Sequence, residues 1–239
     1  MGVPSSIDSS SDRSSQSLLS QFFWVVVNRP HQAAQKVREY ALFSQGMLLR
    51  PIFLRQGSNI SLGENVRIQR ISSFIAEKPF AKITIGADSI IYENAKIEAY
   101  GVGQIEMGRA CIVGDARVYA RAGIKMGDRV GLSWNVFIQD FDPHPVSPDL
   151  RAQQFESICA QFRPHSGKKR SARPSFRWDY PCKKIEIGND VWVGANSTIL
   201  KGAKIGSGCV VAAGTVVPSG IYPDRSLIGG SPARVLKSL

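Results

Sequence analysis

From Ile187 an aliphatic residue returns at every sixth position: Ile187, Val193, Ile199, Ile205, Val211 and Val217. Four residues after each of the first five comes a small or β-branched residue, namely Val191, Ser197, Ala203, Cys209 and Thr215. Glycine often follows the aliphatic, as at Gly188, Gly194 and Gly206. A helix would repeat every ~3.6 residues and a half-buried strand every two, so neither accounts for a period of six. A coil of three short flat faces does, with the aliphatic pointing inward and the small residue fitted beside a corner. Units of this kind bury a core only by stacking on their neighbours, which makes the stretch a solenoid.

The same phase runs earlier in the chain. Leu62 and Ile68 form one run, Ile85, Ile91 and Ile97 another, then Met107 and Val113, then Met126, Leu132 and Ile138. If three hexads close a coil of 18, coil starts should lie about 18 apart. The intervals are 23 from Leu62 to Ile85, 22 to Met107 and 19 to Met126, and 18 from Ile187 to Ile205. Small corner loops absorb these excesses. Met126 to Ile187 is 61 residues, which leaves 43 for one large loop. The fold class predicted is all-β, a parallel β-helix whose coils stack at the ~4.8 Å strand spacing. Cys111 and Cys209 fall on the small-residue position, so they read as buried packing groups.

The chain of 239 residues allows one substantial core. Its charge of +11 points to an anionic partner, and nucleic acid, an acidic membrane face and a polyphosphate-bearing cosubstrate all satisfy that. The four cysteines have neither C-x-x-C nor metal-ligand spacing, which fits cytosolic thiols. Met1–Gln16 is Ser-rich and lacks a signal-peptide pattern. Leu18–Val27 is apolar but about half of a membrane span, so it reads as the start of a helical segment or as an interfacial anchor. The expected division is 1–17 as a disordered polar tail, 18–58 as an N-terminal helical segment and 59–239 as the β-helix, with 146–186 as a large basic loop.

The run IGNDVWVGANSTILKGAKIGSGCVVAAGTVV followed by GGSPARVL resembles the C-terminal half of hexapeptide-repeat acyltransferases. It is most similar to the maltose, galactoside and polysaccharide O-acetyltransferases and the xenobiotic acetyltransferases. The resemblance covers the chain from about Leu62 onward, apart from much of the loop, and it supplies the left hand of the coil. It implies acetyl-CoA as cosubstrate without a metal, a homotrimer with the site between subunits, and a saccharide acceptor in surface-polysaccharide or glycolipid assembly. A cytoplasmic enzyme follows, with contact at the inner membrane face left open.

In these relatives a histidine in an H-P-V-x-x-x-x-R setting is the catalytic base, and the matching residues here are His144, Pro145, Val146 and Arg151. A base titrating near neutrality suits the task, because a sugar hydroxyl is a poor nucleophile until its proton is taken. Asp142 lies two residues before His144, on the same side of an extended chain, and is the expected orienting group, with Asp140 as a rival. Trp134, Asn135, Asp115 and Arg151 are the acceptor-binding candidates. Asp115 stands in for an Asn of galactoside-type relatives that has no clear match. Ala195, Ala213 and Gly214 are candidates for close approach of pantetheine, and Arg234 and Lys237 for the CoA phosphates. Where many relatives carry a Thr-Lys pair after the last hexads, this chain reads Pro218-Ser219.

The loop carries nine Lys or Arg against four acidic residues, with a GKKRSARPSFRW core. Its expected role is to overhang the site and bind an anionic acceptor; a nucleic-acid role is not expected, and His165 within it is given no role. The competing readings are N-acetylation of an amino sugar and a non-enzymatic basic binding or assembly module. A metal-dependent carbonic anhydrase needs three converging histidines, which the spacing of His31, His144 and His165 does not offer. Serine acetyltransferase is disfavoured for want of its long helical N-terminal region.

Overall fold

A computed structural model describes residues 59–69, 74–161 and 176–239, together with His31, Ala34, Val37, Arg38 and Ala41. Over the continuous stretches the chain is a left-handed parallel β-helix. Face A holds seven strands, from Ile60–Leu62 to Gly220–Tyr222. Face B holds eight, from Arg67–Ile68 to Ser226–Gly230 with Ala233–Ser238 folded back against it antiparallel. Face C holds six, from Phe74–Ala76 to Val216–Val217.

The hexad phase is the strand register. On face A, Leu62 stands opposite Ile85, then Met107, Met126, Ile187, Ile205 and finally Tyr222. The 61-residue interval therefore closes in register like the others, and the inserted residues leave the stack undisturbed. Face B stacks Ile68, Ile91, Val113, Leu132, Val193, Val211 and Ile228 in the same way. Apart from the half-buried Leu62, every inward aliphatic read from the repeat is buried, as are Val191, Ser197, Ala203, Cys209 and Thr215 beside the corners.

Three positions after each coil start explain the corner between faces A and B. At the first, a glycine in every coil but the last, a β-carbon would collide with the next coil: at Gly188 it would lie 2.6 Å from the Ser207 nitrogen. At the second, in the four coils from Met126 onward, a side-chain acceptor takes an N–H of the coil before it. Asp128 accepts from Arg109, Asn189 from Asp128, Ser207 from Asn189 and Asp224 from Ser207, at 2.8–3.1 Å. These bonds satisfy donors where the backbone turns out of the ladder. At the third, the backbone is left-handed in all seven coils, with φ of 53–67° from Asn65 to Arg225. Asn and Asp tolerate that region better than most residues, and they occupy it at Asn65, Asp88 and Asp190.

The predicted loop is not loop throughout. It opens with α1, Pro148–Gln161, and the start signal was present: Ser147 at the cap, Pro148 in the first helical position and Asp149 in the first turn. Most of the GKKRSARPSFRW core, with His165, lies outside the described residues, as do the 1–17 tail and Leu18–Val27. His31, Ala34, Val37, Arg38 and Ala41 are helical, and Arg38 pairs with Glu93 at 3.4 Å. Among the described residues no helix is long and apolar enough to cross a membrane.

Cys111 and Cys209 are fully buried, and burial pushes both thiols above the ordinary cysteine range. Cys159 and Cys182 are exposed. A chromogenic disulfide reagent should therefore titrate Cys159 and Cys182 in the native protein and reach Cys111 and Cys209 only after denaturation. Four fast-reacting thiols in native protein would contradict the packing.

Candidate active site

The candidate residues fall at the two ends of one strand. Val136–Gln139 crosses face C. Trp134 and Asn135 lie before it at the B–C corner, and Asp140 to His144 lie after it at the C–A corner. The strand is about 13 Å long, four residues at ~3.3 Å each.

At the B–C corner the structure stacks several predicted residues in one column. Register places Asp115, Asn135, Asn196 and Gly214 one above another, with Ala195 and Ala213 beside the last two. Asn135 and Asn196 are left-handed, at 56° and 59°, and Gly214 at 72°. A β-carbon on Gly214 would touch nothing within 4 Å, so the corner is open at this coil. Arg234 stands opposite Gly229, at the axial end of the same edge, whereas Lys237 stands opposite Leu227, at the other side of face B. Arg234 donates to the Ala233 carbonyl at 2.8 Å. Trp134, 70% exposed, borders a cleft of about 350 Å³ lined also by Tyr92, Ile112 and Trp192. Trp192 donates from Nε1 to Ser133 Oγ at 3.2 Å.

At the C–A corner the chain leaves the coil and returns to it. Asp140 holds the exit. It is fully buried and accepts from the backbone N–H groups of Arg121 at 2.7 Å, Ala122 at 3.0 Å and Gly123 at 2.6 Å. Burial raises its carboxyl above the usual range, and those three N–H groups pull the other way. The Lys183 N–H donates to the Asp140 carbonyl at 2.8 Å, Phe141 bridges Cys182, and the Asp142 N–H donates to the Pro181 carbonyl at 2.9 Å. Trp178 Nε1 donates to the Asp142 carbonyl at 3.0 Å. The Arg121 guanidinium packs on the Tyr180 ring at 3.6 Å and lies 5.3 Å from Phe141. Both ends of the insert are thereby stitched to each other and to the coil.

His144 is exposed on this base. Its Nδ1 lies 2.8 Å from Gln154 Oε1, and the Phe155 ring meets it edge-on at 5.3 Å. Gln154 is 4% exposed and also donates from Nε2 to the Pro143 carbonyl at 3.1 Å. The orienting role expected of Asp142 is corrected here, because its carboxylate pairs with Lys201 instead. Period-two reasoning fails after Gln139, since the segment is joined to the returning chain at Cys182 by a single bridge and does not run on as a strand. Asp140 is equally engaged, as the clamp of residues 121–123. Arg151, expected to face an acceptor, turns one guanidinium nitrogen to the Pro145 and Val146 carbonyls at 3.0 and 2.9 Å. Gln154 was missed. Its one sequence signal was the helix start at Ser147–Asp149, which would have put positions 151, 154 and 155 on one face.

Residues 184–219 match the family model described as bacterial transferase hexapeptide, six repeats. The chain is 27% identical over 221 residues to a probable acetyltransferase of Mycobacterium tuberculosis, an alignment covering 92% of this chain and 63% of that protein. It is 34% identical over 116 residues to a galactoside O-acetyltransferase of Lactococcus lactis, covering 48% of this chain and 44% of that one. An N-acyltransferase from Bacillus cereus, crystallised with dTDP and 3-hydroxybutyryl-CoA, shares the fold with a TM-score of 0.55 at 20% identity, covering 79% of this chain and 87% of its own. The chain spans from 22% to 63% of the length of the first curated relatives it matches. Residues 184–219 thus carry the bacterial transferase hexapeptide repeat, in register with the coils before them, and the chain is similar to acetyltransferases over this stretch and beyond it.

Proposed function

We propose that the protein is an acetyl-CoA-dependent O-acetyltransferase acting on a saccharide hydroxyl, with His144 as general base. The observation that carries the reading is the state of the His144 ring: one nitrogen is held by a buried amide, and the ring stands exposed on a clamped segment. Bound acetyl-CoA would supply the activated acyl group as a thioester. The free ring nitrogen takes the hydroxyl proton as the oxygen adds to the thioester carbonyl, and returns it to the departing thiolate as the tetrahedral adduct collapses. Help of this kind is worth ~10²–10⁴ in rate.

The B–C corner suits pantetheine, because Ala195, Ala213 and Gly214 leave no side chain in the way and Arg234 stands at its end for a phosphate. Trp134 and its cleft suit the apolar face of a sugar ring. Lys183 and Lys184 at the insert's base favour an anionic acceptor. These groups and His144 lie a strand-length apart within one chain. A homotrimer joins them, by bringing the B–C corner of one copy against the C–A corner of the next. Hydroxyl acceptors are favoured by the galactoside O-acetyltransferase among the relatives; the Bacillus cereus neighbour keeps amino sugars as the second reading.

Thiol release from acetyl-CoA, followed across a panel of neutral, phosphorylated and amino sugars, tests this directly. Acceptor-dependent release is expected with a hydroxyl sugar, from a species that sediments as a trimer. Release with amino sugars alone would move the protein to N-acylation. No release, with no calorimetric binding of CoA, would leave a basic binding module.

A further inference from the structure

We infer that Gln154 is the positioning residue that keeps the proton of His144 on Nδ1 and leaves Nε2 as the base. The inference rests on the reading of His144 as the base. It assigns the insert helix a place in the reaction that the repeat alone does not.

The proton follows from counting donors and acceptors. The Pro143 carbonyl can only accept, so the Gln154 amide nitrogen must face it, at 3.1 Å. The amide oxygen is thereby turned to the imidazole, 2.8 Å from Nδ1. That oxygen can only accept as well, so Nδ1 must carry the hydrogen. A neutral imidazole protonated there has its lone pair on Nε2, the atom that must meet the acceptor hydroxyl. Rotating the amide would set its oxygen against the Pro143 carbonyl, exchanging a hydrogen bond for a repulsive contact in a site where Gln154 is 4% exposed.

One helical face makes the whole grip. Arg151, Gln154 and Phe155 are spaced i, i+3 and i+4, so they share a side of α1. Arg151 holds the Pro145 and Val146 carbonyls, Gln154 holds Pro143 and the ring, and the Phe155 edge fixes the ring plane at 86°. The two charged residues that the sequence placed beside His144 are engaged elsewhere: Asp142 with Lys201, and Arg151 with the two carbonyls. The partner of Nδ1 is the neutral amide of Gln154 and not a carboxylate.

The chain has three histidines, so ¹⁵N-histidine spectra of the full protein assign His144 by comparison with His144→Ala, and no ligand is needed. The expected wild-type signal is the Nδ1–H tautomer. Gln154→Leu should lose that preference and lower kcat for acetyl-CoA turnover about 10²-fold, at the lower edge of what a general base provides, with KM unchanged. Gln154→Glu, nearly the same shape, should keep the tautomer and raise the midpoint of the ring's titration by about one unit or more, since a carboxylate stabilises the imidazolium. An Nε2–H tautomer in the wild type, or an unchanged tautomer and kcat in Gln154→Leu while His144→Ala is inactive, would overturn the positioning role alone. Full turnover by His144→Ala would overturn the base and its positioning residue together.

Discussion

His144→Ala is expected to lower acceptor-dependent release of CoA by about 10²–10⁴-fold, the range that a positioned general base supplies. The loss should fall on kcat, because the imidazole is proposed to act on the hydroxyl proton and the B–C corner to bind the cosubstrate. Calorimetric affinity for CoA should stay close to wild type. Thermal unfolding should also change little, since His144 is exposed and the clamp below it is built from Asp140, Phe141 and backbone groups. A variant that keeps its unfolding midpoint and its CoA binding but loses turnover would locate the effect in the chemistry. Wild-type kcat in that variant would contradict the assignment of the base.

The largest loss of stability from a single polar residue is expected at Asp140. Asp140→Ala removes the acceptor of three backbone N–H groups at once. A buried donor left without a partner costs about 1–3 kcal/mol, so about 3–5 kcal/mol is expected in total. For a chain of this size that corresponds to a fall of about 10 °C in Tm. Asp140→Asn should fall between the two, since its one remaining carbonyl oxygen can still accept while its amide nitrogen faces other donors. The loss should begin at the C–A corner, where Lys183 and Pro181 bind the same segment. Hydrogen exchange should show early opening of residues 121–123 and 181–183. A Tm within 2 °C of wild type, on the scale of an ordinary surface substitution, would mean that the carboxylate is not the clamp.

The two aspartates show where local reading succeeds and where it stops. Asp140, Asp142 and His144 alternate in the sequence, and an extended strand would set all three on one side. The strand ends at Gln139. Beyond it the backbone follows the return segment at Pro181 and Cys182, which turns Asp140 into the corner and Asp142 towards Lys201, 59 residues later. Nothing within ten residues of Asp142 reports that lysine. Gln154 was hidden for a related reason: its significance depends on the angle at which α1 packs, and a buried glutamine in a helix of low amphipathic contrast looks like a solvated one. The placement of Ala195, Ala213 and Gly214 at one corner was legible, because they hold their positions through the repeat phase itself. The same phase carried Asp115 and Asn135 into that column.

The amino-acid sequence by itself determined the coil: which residues point inward, which coil starts stack, and that 43 extra residues leave the ladder in register. It could do so because a β-helix core is built from contacts that recur at a short fixed spacing, so each hexad states its own position. Only the tertiary structure decided which side chains meet at the corners. There the chain leaves the repeat, and the partners of Asp140, Asp142 and His144 are supplied by segments whose distance along the sequence bears no relation to their distance in space.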